Sequence, residues 1–228
     1  MEQGGAHEIG VHKAAEYFGL TFNIETLYMT WISMAIVIVF AFVATRRLKM
    51  VPGGWQNFLE LIVTALLDQI ESAMGPKGKK MAPLLITLFL FLLVSNWLGL
   101  VPGFTSPTSD LNTTLGLALL VIALVHITSI VNKGPGAYIK HYFQPYIPFV
   151  VINLIEEAAK PITLSFRLMG NIFAGEVLIV ILGKLVPMWI PIPNIVWLAF
   201  SVFVGVVQAF IFTMLSMSYL AGSMSDDH

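Results

Sequence analysis

Residues 146–186 read YIPFVVINLIEEAAKPITLSFRLMGNIFAGEVLIVILGKLV. The run is 41 residues long, whereas a helix standing upright across a hydrocarbon core of ~30 Å needs about 20. It is therefore one steeply tilted helix or two helices in series, with Pro148 and Pro161 placed to supply kinks. An open strand is excluded, because its unpaired amides have no partner in lipid. A run this long and apolar reads as helical and membrane-embedded.

Outward from it, the chain divides into further apolar runs. Residues 27–45 carry no charge and end against Arg46, Arg47 and Lys49; residues 81–101 are uncharged and follow Lys77, Lys79 and Lys80. Residues 111–131 hold one ionisable group, His126, and stop at Asn132-Lys133-Gly134-Pro135. Residues 194–220 are uncharged and follow the Pro-rich break at 187–193. Residues 55–74 differ: Phe58, Leu59, Ile62, Val63, Leu66, Leu67 and Ile70 recur at helical spacing with Glu60, Asp68 and Glu71 among them. That pattern fits an amphipathic helix lying in the interface, or a loop helix packed on the protein's own inner face. The expected fold is an all-α polytopic membrane protein with about five membrane-embedded helices plus one interfacial amphipathic helix. It forms a single membrane domain over 1–228, with 1–26 as an outer N-terminal segment.

Composition narrows the function classes. Of 228 residues, 57% are hydrophobic and 11% charged, less than half the charge density of an ordinary soluble domain. The 12 basic and 13 acidic side chains nearly cancel, so no basic surface for nucleic acid is expected. With no cysteine, disulfides, thiolate metal sites and Cys nucleophiles are excluded. No nucleotide loop, zinc motif or Ser/His/Asp triad is present, and neither cofactor nor metal is expected.

The basic residues set an orientation. With the N-terminus outside, the inner loops receive Arg46, Arg47, Lys49, Lys77, Lys79, Lys80, Lys133 and Lys140, while outer segments hold only Lys13 and Lys184. The positive-inside bias thus favours N-out and C-in, leaving Asp226, Asp227 and His228 on the cytoplasmic side. The first twenty residues carry Glu2, Glu8 and Glu16 without a basic stretch before an apolar core, so neither a secretory signal nor a transit peptide is expected.

Ionisable residues at membrane depth are rare and point to function. Glu156, Glu157, Lys160, Arg167 and Glu176 all fall in the run 146–186, and no other expected span holds a carboxylate. Glu156 and Glu157 lie four and three residues before Lys160, so they can pair along one face. That group is a salt-bridged patch near the inner interface or the polar lining of an aqueous path. Arg167 stands alone. An Arg at mid-span costs about 2.5–3.5 kcal/mol on insertion scales, and its guanidinium does not discharge. Glu176, nine residues on, projects from the opposite face roughly 13 Å away, and Glu157 lies roughly 15 Å back along the axis. Its partner is folded back from elsewhere or brought by another subunit; snorkelling to the headgroups is disfavoured by the roughly twenty residues between Arg167 and either end of the run. Asn171 shares the Arg167 face one turn on, and Gly170 and Gly175 leave room for a neighbouring helix. In the last span Gln208 is a lone amide with Ser201 and Gly205 on its face, either an interhelical hydrogen bond or a group orienting Arg167. Asn96, Asn112, Thr113 and Thr114 line polar space or cap helices. His126 is an interhelical donor or a proton relay.

Ser165-Phe-Arg-Leu-Met-Gly-Asn-Ile-Phe-Ala-Gly-Glu176 resembles the signature of subunit a of the F-type ATP synthase (Fo sector, ATPase subunit 6 family). Val207-Gln-Ala-Phe-Ile-Phe212 and Ser218-Tyr-Leu-Ala221 resemble that family's last helix. Asn153-Leu-Ile-Glu-Glu-Ala-Ala-Lys-Pro-Ile162 and Asn96-Trp-Leu-Gly-Leu-Val-Pro102 agree. The likeness runs from about Trp55 to the C-terminus; the first fifty residues match only in hydropathy.

The resemblance implies a stator subunit, non-catalytic by itself, that provides two offset half-channels for protons to and from a ring of c-subunits. It implies that Arg167 is the essential gate facing each ring carboxylate, and that Glu176 belongs to the outer half-channel. Asn171 and Gln208 are implied as polar neighbours of the arginine, and Glu156 or Glu157 as marks of the inner half-channel. Met169 stands where family members often have Phe, and Ser201 where some have His, so water or Glu176 would serve in place of an imidazole relay. The family further implies a long inclined hairpin of the last two helices, and b-type peripheral stalk subunits and the rest of the F1Fo ATP synthase as partners. The lack of a transit peptide favours a bacterial inner membrane over an organelle-encoded copy. An ion-coupled secondary transporter would also use intramembrane Arg and Glu, but no internal repeat is present; a Na⁺-translocating version of the same subunit is the nearer alternative.

Overall fold

The computed structural model describes residues 14–17, 20–46, 54–101, 103–136, 138, 143, 146, 149–185 and 192–224. Pro148, the segment 187–191, and Arg47, Lys49 and Lys140 of the inner-loop reading lie outside them, as do Lys13 and the C-terminal Asp226, Asp227 and His228.

The architecture is an all-helical polytopic membrane protein. Helix α1 spans Ile24–Thr45, α2 Trp55–Met74, α3 Ala82–Leu98, α4 Leu111–Lys133, α5 Phe149–Leu185 and α6 Ile192–Met224. Two short 3-10 turns, Gly75–Lys80 and Pro107–Ser109, precede α3 and α4. Four helices, α1, α4, α5 and α6, are long and apolar enough to cross a bilayer. Helix α3 has 17 residues and is about 26 Å long, at the short end for a span. A two-stranded antiparallel hairpin, β1 (Ala14–Tyr17) with β2 (Leu20–Asn23), precedes α1; the expected outer N-terminal segment had suggested no structure there.

The long run is a single helix rather than a broken pair. Helix α5 has 37 residues and passes through Pro161, which is buried. A proline inside a helix forfeits one backbone hydrogen bond, and α5 nonetheless continues, with Pro161 and the turns after it, through Leu164, Ser165 and Leu168, buried in the bundle. At ~1.5 Å per residue α5 is about 55 Å long, so it must incline steeply to stay within a ~30 Å core. Helix α6 starts at Ile192 with Pro193 in its first turn, where proline's missing N–H costs nothing. It returns antiparallel to α5. Trp197 Nε1 donates to the Gly175 carbonyl at 3.2 Å, and near the other end Lys160 Nζ lies 5.8 Å from the centre of the Tyr219 ring.

Two apolar clusters hold the bundle. One joins Leu66, Leu88, Phe89, Leu92, Val121, Leu164, Leu168 and Phe212 from α2 to α6. The other joins Ile70, Met74, Leu85, Val125, Met217 and Leu220 towards the opposite end. Helix α2 thus seats Leu66, Ile70 and Met74 on the bundle while Phe58 and Leu61 stay exposed. Helix α4 begins at an Asp110 cap, whose Oδ1 accepts from the Asn112 amide at 2.9 Å, and ends at Gly134, whose φ of 80° suits glycine.

Candidate functional site

The antiparallel pairing of α5 and α6 brings two polar sets together, one at each end of α5, with Arg167 between them.

At the end of α5 near the 101–110 loop, the two helices and α3 enclose a cavity of about 410 Å³. Asn171, Glu176, Ser201 and Gln208 line it, joined by Asn96 and Trp197. Four residues separated by up to 37 positions in the chain thus share one space, because a reverse-running helix sets Ser201 beside Gly175 and turns Gln208 to the same cavity. Glu176 is half-buried, and its Oε1 accepts a hydrogen bond from the Ser106 backbone N–H at 2.9 Å. Ser201 is buried, and its hydroxyl has no hydrogen-bond partner among the described residues. Gln208 is buried too, and no hydrogen bond joins it to Arg167.

The cavity wall is tied by a chain of hydroxyls and amides. Ser106 Oγ donates to the Ser95 carbonyl at 2.8 Å and lies 2.7 Å from Thr108 Oγ1. Thr108 Oγ1 donates to Asn96 Oδ1 at 2.7 Å, and Asn96 Nδ2 donates to the Gly205 carbonyl at 2.9 Å. Trp97 Nε1 adds a bond to the Val202 carbonyl at 3.1 Å. This close approach depends on Gly205, where an added Cβ would lie 3.1 Å from Trp97 Cδ1. The spacing argument placed the close approach at Gly170 and Gly175 instead. Gly170 has nothing within 4 Å of the Cβ position, and Gly175, which lines the cavity, has only Ser201 Oγ at 3.8 Å. Of the other amides and hydroxyls, Asn96 reaches the cavity, whereas Asn112 and Thr114 serve the Asp110 cap region.

Arg167 is exposed on α5 with its neighbour Phe166. Among the described residues it has no hydrogen-bond or ion-pair partner. Among the described residues, folding brings no carboxylate into an ion pair with it.

About 28 Å along the axis from Glu176, the other set gathers around Glu157. Lys160 Nζ lies 2.6 Å from Glu157 Oε1 and 3.9 Å from Glu156 Oε1. From α4, His126 Nε2 approaches Glu157 Oε2 at 4.0 Å, and His126 Nδ1 lies 2.9 Å from the Tyr138 hydroxyl. Glu157 Oε2 is buried without a hydrogen-bond partner among the described residues, while Glu156 is exposed. Spacing along α5 anticipates the Lys160 pairs; the approach of His126 is a tertiary contact that it does not reveal. Ser106, Thr108, Tyr138 and Tyr219 were missed for the same reason. Only the run of hydroxyls in 105–109 hinted that this loop does more than turn.

The arrangement suits proton transfer. It offers a carboxyl at each end of one helix, a cavity roomy enough for water and carrying several polar side chains at one of them, and between them a permanent cation with no partner among the described residues. Among the described residues no cluster of His, Asp and Glu could hold a metal ion.

Comparison with known proteins bears on this arrangement. The family described as ATP synthase A chain matches residues 27–221. The chain is 48% identical over 210 residues to ATP synthase subunit a of Desulforamulus reducens, covering 89% of this chain and 80% of that one. It is 39% identical over 221 residues to ATP synthase subunit a of Acidothermus cellulolyticus, covering 94% and 82%. With ATP synthase subunit a of Mycobacterium leprae the identity is 38% over 242 residues, covering 99% and 96%.

Proposed function

The chain belongs to the ATP synthase A chain family, and from that premise we propose that it is the stator of the rotary ion channel in a bacterial F1Fo ATP synthase. In this reading a proton enters through the cavity, passes by way of Glu176, and protonates a carboxylate on a ring of c-subunits. After the ring has turned, the proton leaves past the set around Glu157, Glu156 and His126. The observation that carries the proposal is the position of Arg167: exposed, unpaired among the described residues, and between two carboxyl-bearing sets.

The electrostatics follow from that position. A guanidinium stays charged in any protein environment, so an approaching ring carboxylate is drawn to its ionised form and releases its proton. At ~4 Å and an effective dielectric of about 20, the attraction between unit charges is roughly 4 kcal/mol. The same cation repels a proton moving straight between the two sets, so transfer requires rotation of the ring. Asn171, one turn from Arg167, and Gln208 line the cavity and can hydrogen-bond water entering it. Ser201 supplies a hydroxyl there and no titratable group.

The partners in this reading are the c-ring against the exposed Arg167 face, b-type stalk subunits on the remaining exposed helices, and lipid. The basic residues of the loops place the N-terminus outside and the C-terminus in the cytoplasm. The decisive experiment replaces Arg167 by Ala or Lys in the complex in vesicles. Proton-driven ATP synthesis should disappear, and passive proton leak should rise for the Ala variant. Unchanged coupling in an assembled complex would sink the proposal.

A further inference from the structure

We propose that Gly99 and the backbone amide of Ser106 form a cradle that positions the Glu176 carboxylate, making both of them positioning residues for proton transfer through the cavity. The inference rests on the reading of Glu176 as a proton carrier.

Gly99 ends α3 with φ of −68° and ψ of −10°, a conformation open to any residue. Nothing in the backbone asks for glycine. Space does: a Cβ there would run into Glu176 Oε1, and would lie 2.7 Å from Ser106 Cβ and 2.9 Å from Ser106 N. The carboxylate and the amide that binds it thus meet directly over the α-carbon of Gly99. A side chain there would displace Glu176, the loop, or both.

The amide itself cannot drift. Ser106 Oγ is bonded to the Ser95 carbonyl on α3 and to Thr108, and Thr108 is bonded to Asn96, whose amide holds the Gly205 carbonyl on α6. Ser106, Thr108 and Asn96 are all buried. The loop is therefore clamped to α3 and α6, two of the three helices that wall the cavity, and its N–H is presented at a fixed point. A glutamate side chain has three rotatable bonds, and holding Oε1 selects one of their combinations. Oε2 is then the oxygen left to exchange a proton with water in the cavity. Positioning of this kind matters because a displacement of about 1 Å can cost on the order of a hundredfold in a transfer step.

The test uses the complete ATP synthase complex reconstituted in vesicles and reads ATP-driven proton pumping. Gly99→Ala should lower pumping about tenfold or more. Glu176→Asp withdraws the carboxylate by one methylene, so it lowers pumping by itself but makes room for the new methyl. Adding Gly99→Ala to it should then cost less than about twofold, a coupling expected of directly touching groups. An equal fold-loss in both backgrounds, or no loss from Gly99→Ala, overturns the cradle. If Gly99→Ala prevents assembly, the same pair decides: recovery of assembly by Glu176→Asp supports the contact, and its failure overturns it.

Ser106 gives an independent arm. Its φ of −71° and ψ of 126° are those of a proline, so Ser106→Pro removes the N–H without forcing the backbone. Ser106→Ala removes the hydroxyl and keeps the N–H. Pumping should fall at least about threefold further in the Pro variant than in the Ala variant; equal losses count against the amide. Glu176→Gln separates the two failures. If it leaves pumping intact, the reading of Glu176 is wrong; if it abolishes pumping while Gly99→Ala does not lower it, only the cradle is.

Discussion

The two ends of α5 each carry a half-buried carboxylate, yet they hold it in different ways. Glu157 is paired with Lys160 at 2.6 Å, three residues along the same helix. Glu176 is held by a neutral backbone amide from a loop 70 residues away in sequence, beside a cavity lined by amides and hydroxyls. One arrangement is a local ion pair; the other is a tertiary construction from α3, α5, α6 and a loop. An ion pair with side chains 24% exposed is screened by salt and worth little by itself. A carboxylate set in an enclosed polar cavity depends on the placement of every wall residue. The contrast predicts unequal sensitivity to substitution, with Arg167 as the common reference.

The largest expected effect is at Arg167, where Ala or Lys should reduce proton-driven ATP synthesis in vesicles to background, since neither variant keeps the guanidinium there. Next comes Glu176→Gln, which keeps the shape and removes the exchangeable carboxyl. Proton pumping should fall by about a hundredfold, measured by quenching of a pH-sensitive dye. The matching change at the other end, Glu157→Gln, should cost only a few-fold, because Glu156 stands beside it. A loss as large as at Glu176 would break the contrast between the ends.

A smaller effect is expected from Gln208→Leu. The cavity keeps its volume and loses one amide, so pumping should drop several-fold while the complex remains assembled, as judged by subunit stoichiometry after purification. The smallest concerns the two glycines. Gly205→Ala should destabilise the subunit by about 1–3 kcal/mol through overpacking against Trp97 and Asn96, whereas Gly170→Ala, with open space around it, should do no such harm to its internal packing. Thermal dissociation of the purified complex, followed by loss of the subunit, distinguishes them.

Much of the helical layout was legible in the chain because lipid imposes one rule on every residue. An uncharged run of about 20 residues can only be a helix there, and the same scarcity of charge isolates Arg167. Local spacing was likewise enough for the Glu156, Glu157 and Lys160 group, whose members are within one helical turn. The hairpin at 14–23 escaped notice, since eight strand residues carry too little pattern to stand out beside α1. The continuity of α5 through Pro161 was also open, because a proline alone does not say whether its neighbours hold the helix together.

What the sequence determined by itself is therefore what depends on one residue and its solvent: helices where charge is absent, and an arginine without a partner within reach on its own helix. The tertiary structure alone decided which polar groups meet. Ser201 and Gln208 share a cavity with Glu176 because α6 runs antiparallel to α5; His126 reaches Glu157 because α4 packs on α5; Ser106 reaches Glu176 because Gly99 leaves the space. Hydrogen bonds act over about 3 Å, and no pattern of spacing along a chain specifies distances of that order between segments tens of residues apart.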